Sequence, residues 1–299
     1  MSLTSSLIRM EFKKSDDIRD AGLTTPEDIV RHDDIVYGDD PKWQALDVYR
    51  PRAAEGEALP VIVSVHGGGW VYGDKERYQF YCMDLAQRGF AVVNFTYHLA
   101  PDYKFPQPLL DTSLVFQWVL ENDRKYGLDP QNLFAVGDSA GAHLLSLYCI
   151  LCTNSNYAAQ FDFSANIGAL PKALGLNCGA YDVSHGNGLN GRLMRDYLPM
   201  RGTPDELEQV NPLNHITDAF PPSYIMTASK DFLREDALKL RNKLNAQGVS
   251  NTYRLYDNAD HSLGHVFHLD IRSADAKECN DEECRFFRAY IVRQNENHV

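Results

Sequence analysis

Short apolar runs rich in β-branched residues alternate along this chain with longer stretches in which apolar positions recur every three or four residues. The first pattern reads as buried strands, the second as helices packed through one face. Residues 61–65, 89–95, 132–136, 222–229 and 252–256 fit the strand pattern. Residues 45–49 alternate and stop at Pro51, as an early edge strand would. Leu233, Ala237, Leu240 and Leu244 fall on one helical face. Residues 107–126 predict a long helix closed by Gly127. Residues 282–293 predict a last helix, with Phe286, Phe287, Tyr290 and Ile291 as its buried stripe. Strand and helix in regular alternation predict a mostly parallel central sheet with helices on both faces, in one domain over residues 1–299.

Two stretches depart from this rhythm. Residues 1–42 are polar and broken by Pro26 and Pro41. Residues 181–215 are rich in Gly, Asn and Arg, with a short amphipathic piece at Leu193, Tyr197 and Leu198. Both are expected to form a small cap over the functional site.

The candidate chemistry begins with Gly137-Asp138-Ser139-Ala140-Gly141, set between the strand at 132–136 and an apolar, helix-like stretch at 142–151. Strand, tight turn and helix with Ser at the apex make a nucleophile elbow. The turn forces Ser139 into a strained backbone, and small flanking residues let strand and helix pass closely. Upstream, the strand at 61–65 runs into His66-Gly67-Gly68-Gly69-Trp70. Consecutive glycines leave backbone N–H groups open to a developing oxyanion, and the Ala140 N–H would add another donor.

Asp231 lies in the loop after the strand at 222–229, where the acid of a triad belongs. Glu235 and Asp236 fall in the following helix and read as its solvated face, while Asp218 precedes the strand and sits at the wrong end of the sheet. Three histidines follow the next strand: His261, His265 and His268. His265 is the expected base, because Gly264 frees the loop and Val266-Phe267 can anchor it. His261 is the alternative. His268, beside Leu269 and Ile271, reads as packing. The spacing of the three would suit a metal on one helical face, but Gly264 interrupts it and no His-Glu-x-x-His occurs, so no metal is expected. The order Ser139, Asp231, His265 is that of α/β-hydrolases.

His66-Gly67-Gly68-Gly69-Trp70 together with Gly137-Asp138-Ser139-Ala140-Gly141 resembles the signatures of the hormone-sensitive-lipase-like family of α/β-hydrolase esterases. Tyr97-His98-Leu99-Ala100-Pro101 resembles that family's Tyr-Arg-Leu-Ala-Pro segment, and the likeness runs over roughly residues 42–295. It implies an α/β-hydrolase fold with a small helical cap. It also implies a serine carboxylesterase of the bacterial short-acyl type, acting on acetyl-like esters through an acyl-enzyme. Gly68, Gly69 and Ala140 would bind the oxyanion, and His66 would be structural. His98 stands where the family usually has Arg; we expect a changed supporting ion pair and an unaffected triad. A peptidase or lipase on the same fold, or a non-catalytic small-molecule binder descended from a hydrolase, are the alternatives.

Charge narrows the partners. The formal net charge is −12, which argues against nucleic acid and anionic membranes. A small ester needs neither a basic face nor a cofactor, and none is expected; Phe286, Phe287 or an edge strand could support a homodimer. The cysteines at 82, 149, 152, 178, 279 and 284 include Cys149-x-x-Cys152, which falls in an apolar helix and reads as core. Free thiols, no leader-like segment at residues 1–7 and no apolar run of membrane-spanning length give the expectation of a cytoplasmic protein. Trp70, Tyr72 and Tyr181 are candidate pocket aromatics.

Overall fold

Strand periodicity sorts the apolar residues into two layers. Val61, Val63 and Val65 enter one core while Ile62 enters the other; Leu133 and Ala135 likewise part from Phe134. The computed structural model describes residues 3–184, 188–258 and 263–292. Its elements begin with α1 (Leu3–Asp20), β1 (Ile29–Val36), β2 (Ala45–Pro51), β3 (Leu59–Val65), α2 (Lys75–Ala86) and β4 (Ala91–Phe95). Next come α3 (Gln107–Glu121), α4 (Asp123–Tyr126), β5 (Leu128–Asp138), α5 (Ala140–Thr153), α6 (Ser155–Ala158) and β6 (Leu174–Asn177). The chain continues through α7 (Gly188–Tyr197), α8 (Pro204–Gln209), α9 (Pro212–His215), β7 (Ser223–Ala228), α10 (Arg234–Ala246), β8 (Asn251–Tyr256) and α11 (Ala274–Arg288).

The strands form a single sheet in the order β1-β2-β4-β3-β5-β6-β7-β8. β2 is antiparallel to both its neighbours, and the pairs from β4 to β8 are parallel. Parallel strands end on one edge of the sheet, so the loops after β3, β5, β7 and β8 collect there, outside the carboxyl ends where ligands bind in such sheets.

Four expectations change. Residues 29–36 belong to the sheet and not to the cap: β1 is the edge strand, and β2 lies one place inside it. A register shift between His32 and Ile35, with Asp34 at φ 57°, breaks the alternation and disguises the strand. The long helix at 107–126 divides at Asn122 into α3 and α4, and Gly127 closes the second part. The last helix begins earlier, at Ala274, and ends at Arg288; Phe287 is its fully buried aromatic. All six cysteines are unpaired, and Cys149 lies in the core. No helix among the described residues is long and apolar enough to cross a membrane.

Candidate active site

Ser139 sits at φ 52°, ψ −118° between β5 and α5, a conformation that a non-glycine residue keeps only when its surroundings impose it. Those surroundings are explicit. Its N–H donates to Asn177 O at 3.0 Å, and its carbonyl accepts from the N–H groups of His143 and Ala180, each at 3.2 Å. A Cβ on Gly141 would overlap the carbonyl oxygen of Val65, and one on Gly137 would lie 2.8 Å from Gly141. Both glycines are therefore spacers that let β5 and α5 cross beside β3. The hydroxyl of Ser139 makes no hydrogen bond to any described residue, and the side chain lines a cavity at the sheet's carboxyl edge, with the N-terminus of α5 beneath it.

The loop after β3 faces the same cavity. Gly68 adopts φ 116°, and a Cβ there would run into the carbonyl of Tyr72. Among the described residues none accepts a hydrogen bond from the backbone N–H of Gly68, Gly69 or Ala140. Trp70 anchors the loop. Its indole Nε1–H donates to His143 Nδ1 at 3.1 Å, its ring stacks on Tyr197, and His143 Nε2–H donates to Val210 O at 2.7 Å. Burial holds His143 neutral, with its pKa lowered to about 4. His66 is also buried and lowered to about 4; it stacks on Tyr97 at 4.0 Å and shapes the loop from below. It does not line the cavity.

Asp231 and His265 meet across two loops. Lys230 N–H donates to Leu263 O at 3.0 Å and so ties the loop after β7 to the loop after β8. His265 Nδ1–H donates to Asp231 Oδ1 at 2.7 Å. Asp231 also accepts from the Leu233 N–H at 2.9 Å and from the Thr227 hydroxyl at 2.8 Å. Burial works to raise the pKa of this carboxyl, but the hydrogen bonds from His265, Leu233 and Thr227 bring it below the ordinary value. The Cys178 thiol lies within 4.8 Å of the donor atoms of both partners. Phe232, exposed, stands with its ring 4.3 Å from that of His265.

The other candidates separate clearly. His261 lies outside the described residues. His268 is fully buried, edge-on to Tyr81, with neither ring nitrogen hydrogen-bonded. Glu235 is exposed, as expected. Asp236 is not: it is buried and accepts the N–H groups of Tyr181 and Asp182 at 3.0 Å each, fixing the loop after β6. Tyr181 lies in the core and does not line the cavity, whereas Trp70 and Tyr72 do. His98 donates from Nδ1 to Asp111 at 2.7 Å and has Asp40 at 3.5 Å from its other ring nitrogen, so it holds a supporting ion pair away from the cavity.

The cavity measures about 260 Å³. One face of α1 closes it with Phe12, Ser15, Asp16 and Arg19, and α7 adds Leu193. This roof is tethered by polar contacts. Arg9 donates to the carbonyls of Val71 and Ala100, Tyr72 OH donates to Asp16, and Ser5 donates to Asp196 of α7. Leu193 belongs to the amphipathic piece expected in the second stretch, whereas the α1 residues carry no such mark, because a helix bound through backbone carbonyls has little apolar signal.

A family profile described as the α/β-hydrolase fold matches residues 62–265, a span that opens in β3 and ends at His265. The chain belongs to this α/β-hydrolase family. Within it, the chain is a hormone-sensitive-lipase-like esterase. It is 26% identical to the esterase LipC of Mycobacterium tuberculosis over 66% of this chain and 50% of that one. It is also 26% identical to the versiconal hemiacetal acetate esterase of Dothistroma septosporum, over 72% and 69% of the two chains. The chain spans about half the length of the first of these relatives. Among solved α/β-hydrolases, esterase B of Lactobacillus rhamnosis superposes with a TM-score of 0.86 at 24% identity, over 96% of this chain and 95% of that one.

Proposed function

We propose that the protein hydrolyses short-acyl carboxylic esters through an acyl-enzyme on Ser139. The observation that carries this reading is a small cavity lined by the strained Ser139, by His265 and by Gly68 and Gly69, with Asp231 hydrogen-bonded to His265 behind it and the N–H of Ala140, next to Ser139, without an acceptor among the described residues. His265, held in its Nδ1–H tautomer by Asp231, takes the Ser139 proton at Nε2 as the oxygen attacks the ester carbonyl. The carbonyl oxygen gains negative charge and takes hydrogen bonds from the three N–H groups. His265 then gives the proton to the leaving alcohol, and water repeats the sequence on the acyl-enzyme. The roof from α1 and α7 limits the acyl chain, and the esterase names of the relatives support the ester as the substrate class.

Turnover of p-nitrophenyl esters from acetyl to dodecanoyl tests both parts. We expect kcat/KM to peak between acetyl and butanoyl. A peak at decanoyl or beyond would overturn the short-acyl assignment, and no hydrolysis at any length would overturn the ester reading. Gly68→Ala tests the oxyanion role: the loop must move to clear Tyr72 O, and kcat should fall about 10²- to 10³-fold with KM little changed. A wild-type kcat in that variant would remove Gly68 from the mechanism.

A further inference from the structure

Behind the elbow, on the side away from the cavity, lies a carboxyl that the mechanism does not use. Glu283 of α11 is 1% exposed, yet it faces the sheet and not solvent. Its approach is built in: Gly175 in β6 has no Cβ, and one would overlap Glu283 Oε1. Oε1 accepts from Asn177 Nδ2 at 2.8 Å, and Oε2 accepts from Tyr81 OH at 3.1 Å. Asn177 ends β6, and its backbone carbonyl is the acceptor for the Ser139 N–H. The next residue, Cys178, turns at φ 47° toward the acid and base. A continuous line of hydrogen bonds therefore runs from Glu283 through Asn177 to the strained nucleophile.

We propose that Glu283 is a positioning residue for Ser139, acting through Asn177, and that its ionised form holds the elbow in the reactive geometry. The inference rests on the esterase reading of the same site.

Both donors reaching Glu283 favour a carboxylate. A protonated carboxyl would need an acceptor instead. The Tyr81 hydroxyl oxygen can accept from a protonated Oε2, and Asn177 Oδ1, buried without a partner, can accept from a protonated Oε1 if the amide turns; either way the charge that strengthens the hydrogen bond from Asn177 Nδ2 is lost and the hold on Asn177 loosens. Burial pushes the Glu283 pKa up to about 7, against the hydrogen bonds from Asn177 and Tyr81 and the charge of Arg88, and with the charge of Asp138. The facing groups are Tyr81 and Arg88 from α2 and its end, Asp138 from β5, Asn177 from β6 and Tyr224 from β7, with Cys279 and Cys284 on α11 itself. The pKa is raised, so the carboxylate is lost as pH falls through about 7. Activity that depends on it falls in the same window.

Two variants and two readouts test this. The readouts are p-nitrophenyl acetate kinetics and the rate at which a fluorophosphonate labels Ser139, each followed across pH. Glu283→Gln keeps the shape and removes the titration. Its kcat should fall roughly tenfold with KM within about twofold, and the acid limb should lose one ionisation. Tyr81→Phe removes one donor to the carboxylate, so the acid limb should move to higher pH while the plateau stays. Acid limbs of both variants that superpose on wild type would overturn the proposal. If Glu283→Gln does not fold, Tyr81→Phe decides alone. Wild-type protein that labels but does not hydrolyse would sink the esterase reading and leave the labelling profile to decide the role of Glu283; no labelling in wild type overturns both.

Discussion

Ser139→Ala should lower kcat by about 10⁶-fold while leaving the melting temperature unchanged. The size follows from the site's division of labour. Without the hydroxyl no acyl-enzyme forms, and His265 has no proton to accept; what survives is the residual help of the oxyanion N–H groups to attack by water. The stability half follows from the structure. The Ser139 hydroxyl makes no hydrogen bond to any described residue, so its removal orphans no buried partner. Alanine keeps the Cβ, so the strain at φ 52° is neither added nor relieved. Ester kinetics beside a thermal melt check both halves. A loss of only tenfold would mean that another group attacks the ester and that the elbow is not the nucleophile. A large fall in melting temperature would mean that the hydroxyl has a structural partner.

How far the sequence revealed the site depended on whether each constraint is local. Gly137 and Gly141 are legible because one crossing of strand and helix excludes a side chain at both, within five residues of the nucleophile. Asp231 and His265 are expected from position, since each follows a parallel strand whose carboxyl end faces the same edge, and the fold brings the two into hydrogen-bond contact. Long-range partners leave no such mark. Asp236 has helical spacing that suggests solvent, yet it is buried because the loop after β6 brings two N–H groups to it. Glu283 looks like one more acid on a charged helix, and only the fold shows Gly175 and Asn177 beneath it. His143 reads as a helix residue and proves to be the link that pins Trp70 to Val210. The edge strand β1 was hidden for a different reason: the irregularity at Asp34 interrupts the period on which strand recognition depends. The roof helix α1 was foreseen only as a region, because its contacts with the body are made largely through Arg9, Asp16 and Arg19.

Replacing Asp231 should cost activity in an order that reports how the amide sits. Asp231→Ala should lower kcat by about 10⁴-fold, the scale at which a triad loses the group that orients its imidazole. Two buried donors, the Leu233 N–H and the Thr227 hydroxyl, lose their acceptor, so the variant should also be less stable by roughly 1–3 kcal/mol. Asp231→Asn should be milder by about an order of magnitude, for a geometric reason. Oδ1 accepts from both His265 and the fixed Leu233 N–H, so the asparagine oxygen belongs at that place. The amide nitrogen then faces Thr227, whose hydroxyl can turn to accept it. His265 keeps its Nδ1–H tautomer, and only the negative charge opposite the imidazolium is lost. Steady-state kinetics of the two variants, with ¹⁵N spectra of the His265 ring to read the tautomer, separate the cases. Asparagine as damaging as alanine would mean that the amide has turned its NH₂ toward His265 and reversed the tautomer. Alanine within tenfold of wild type would remove Asp231 from the triad, because no other carboxylate among the described residues is hydrogen-bonded to His265.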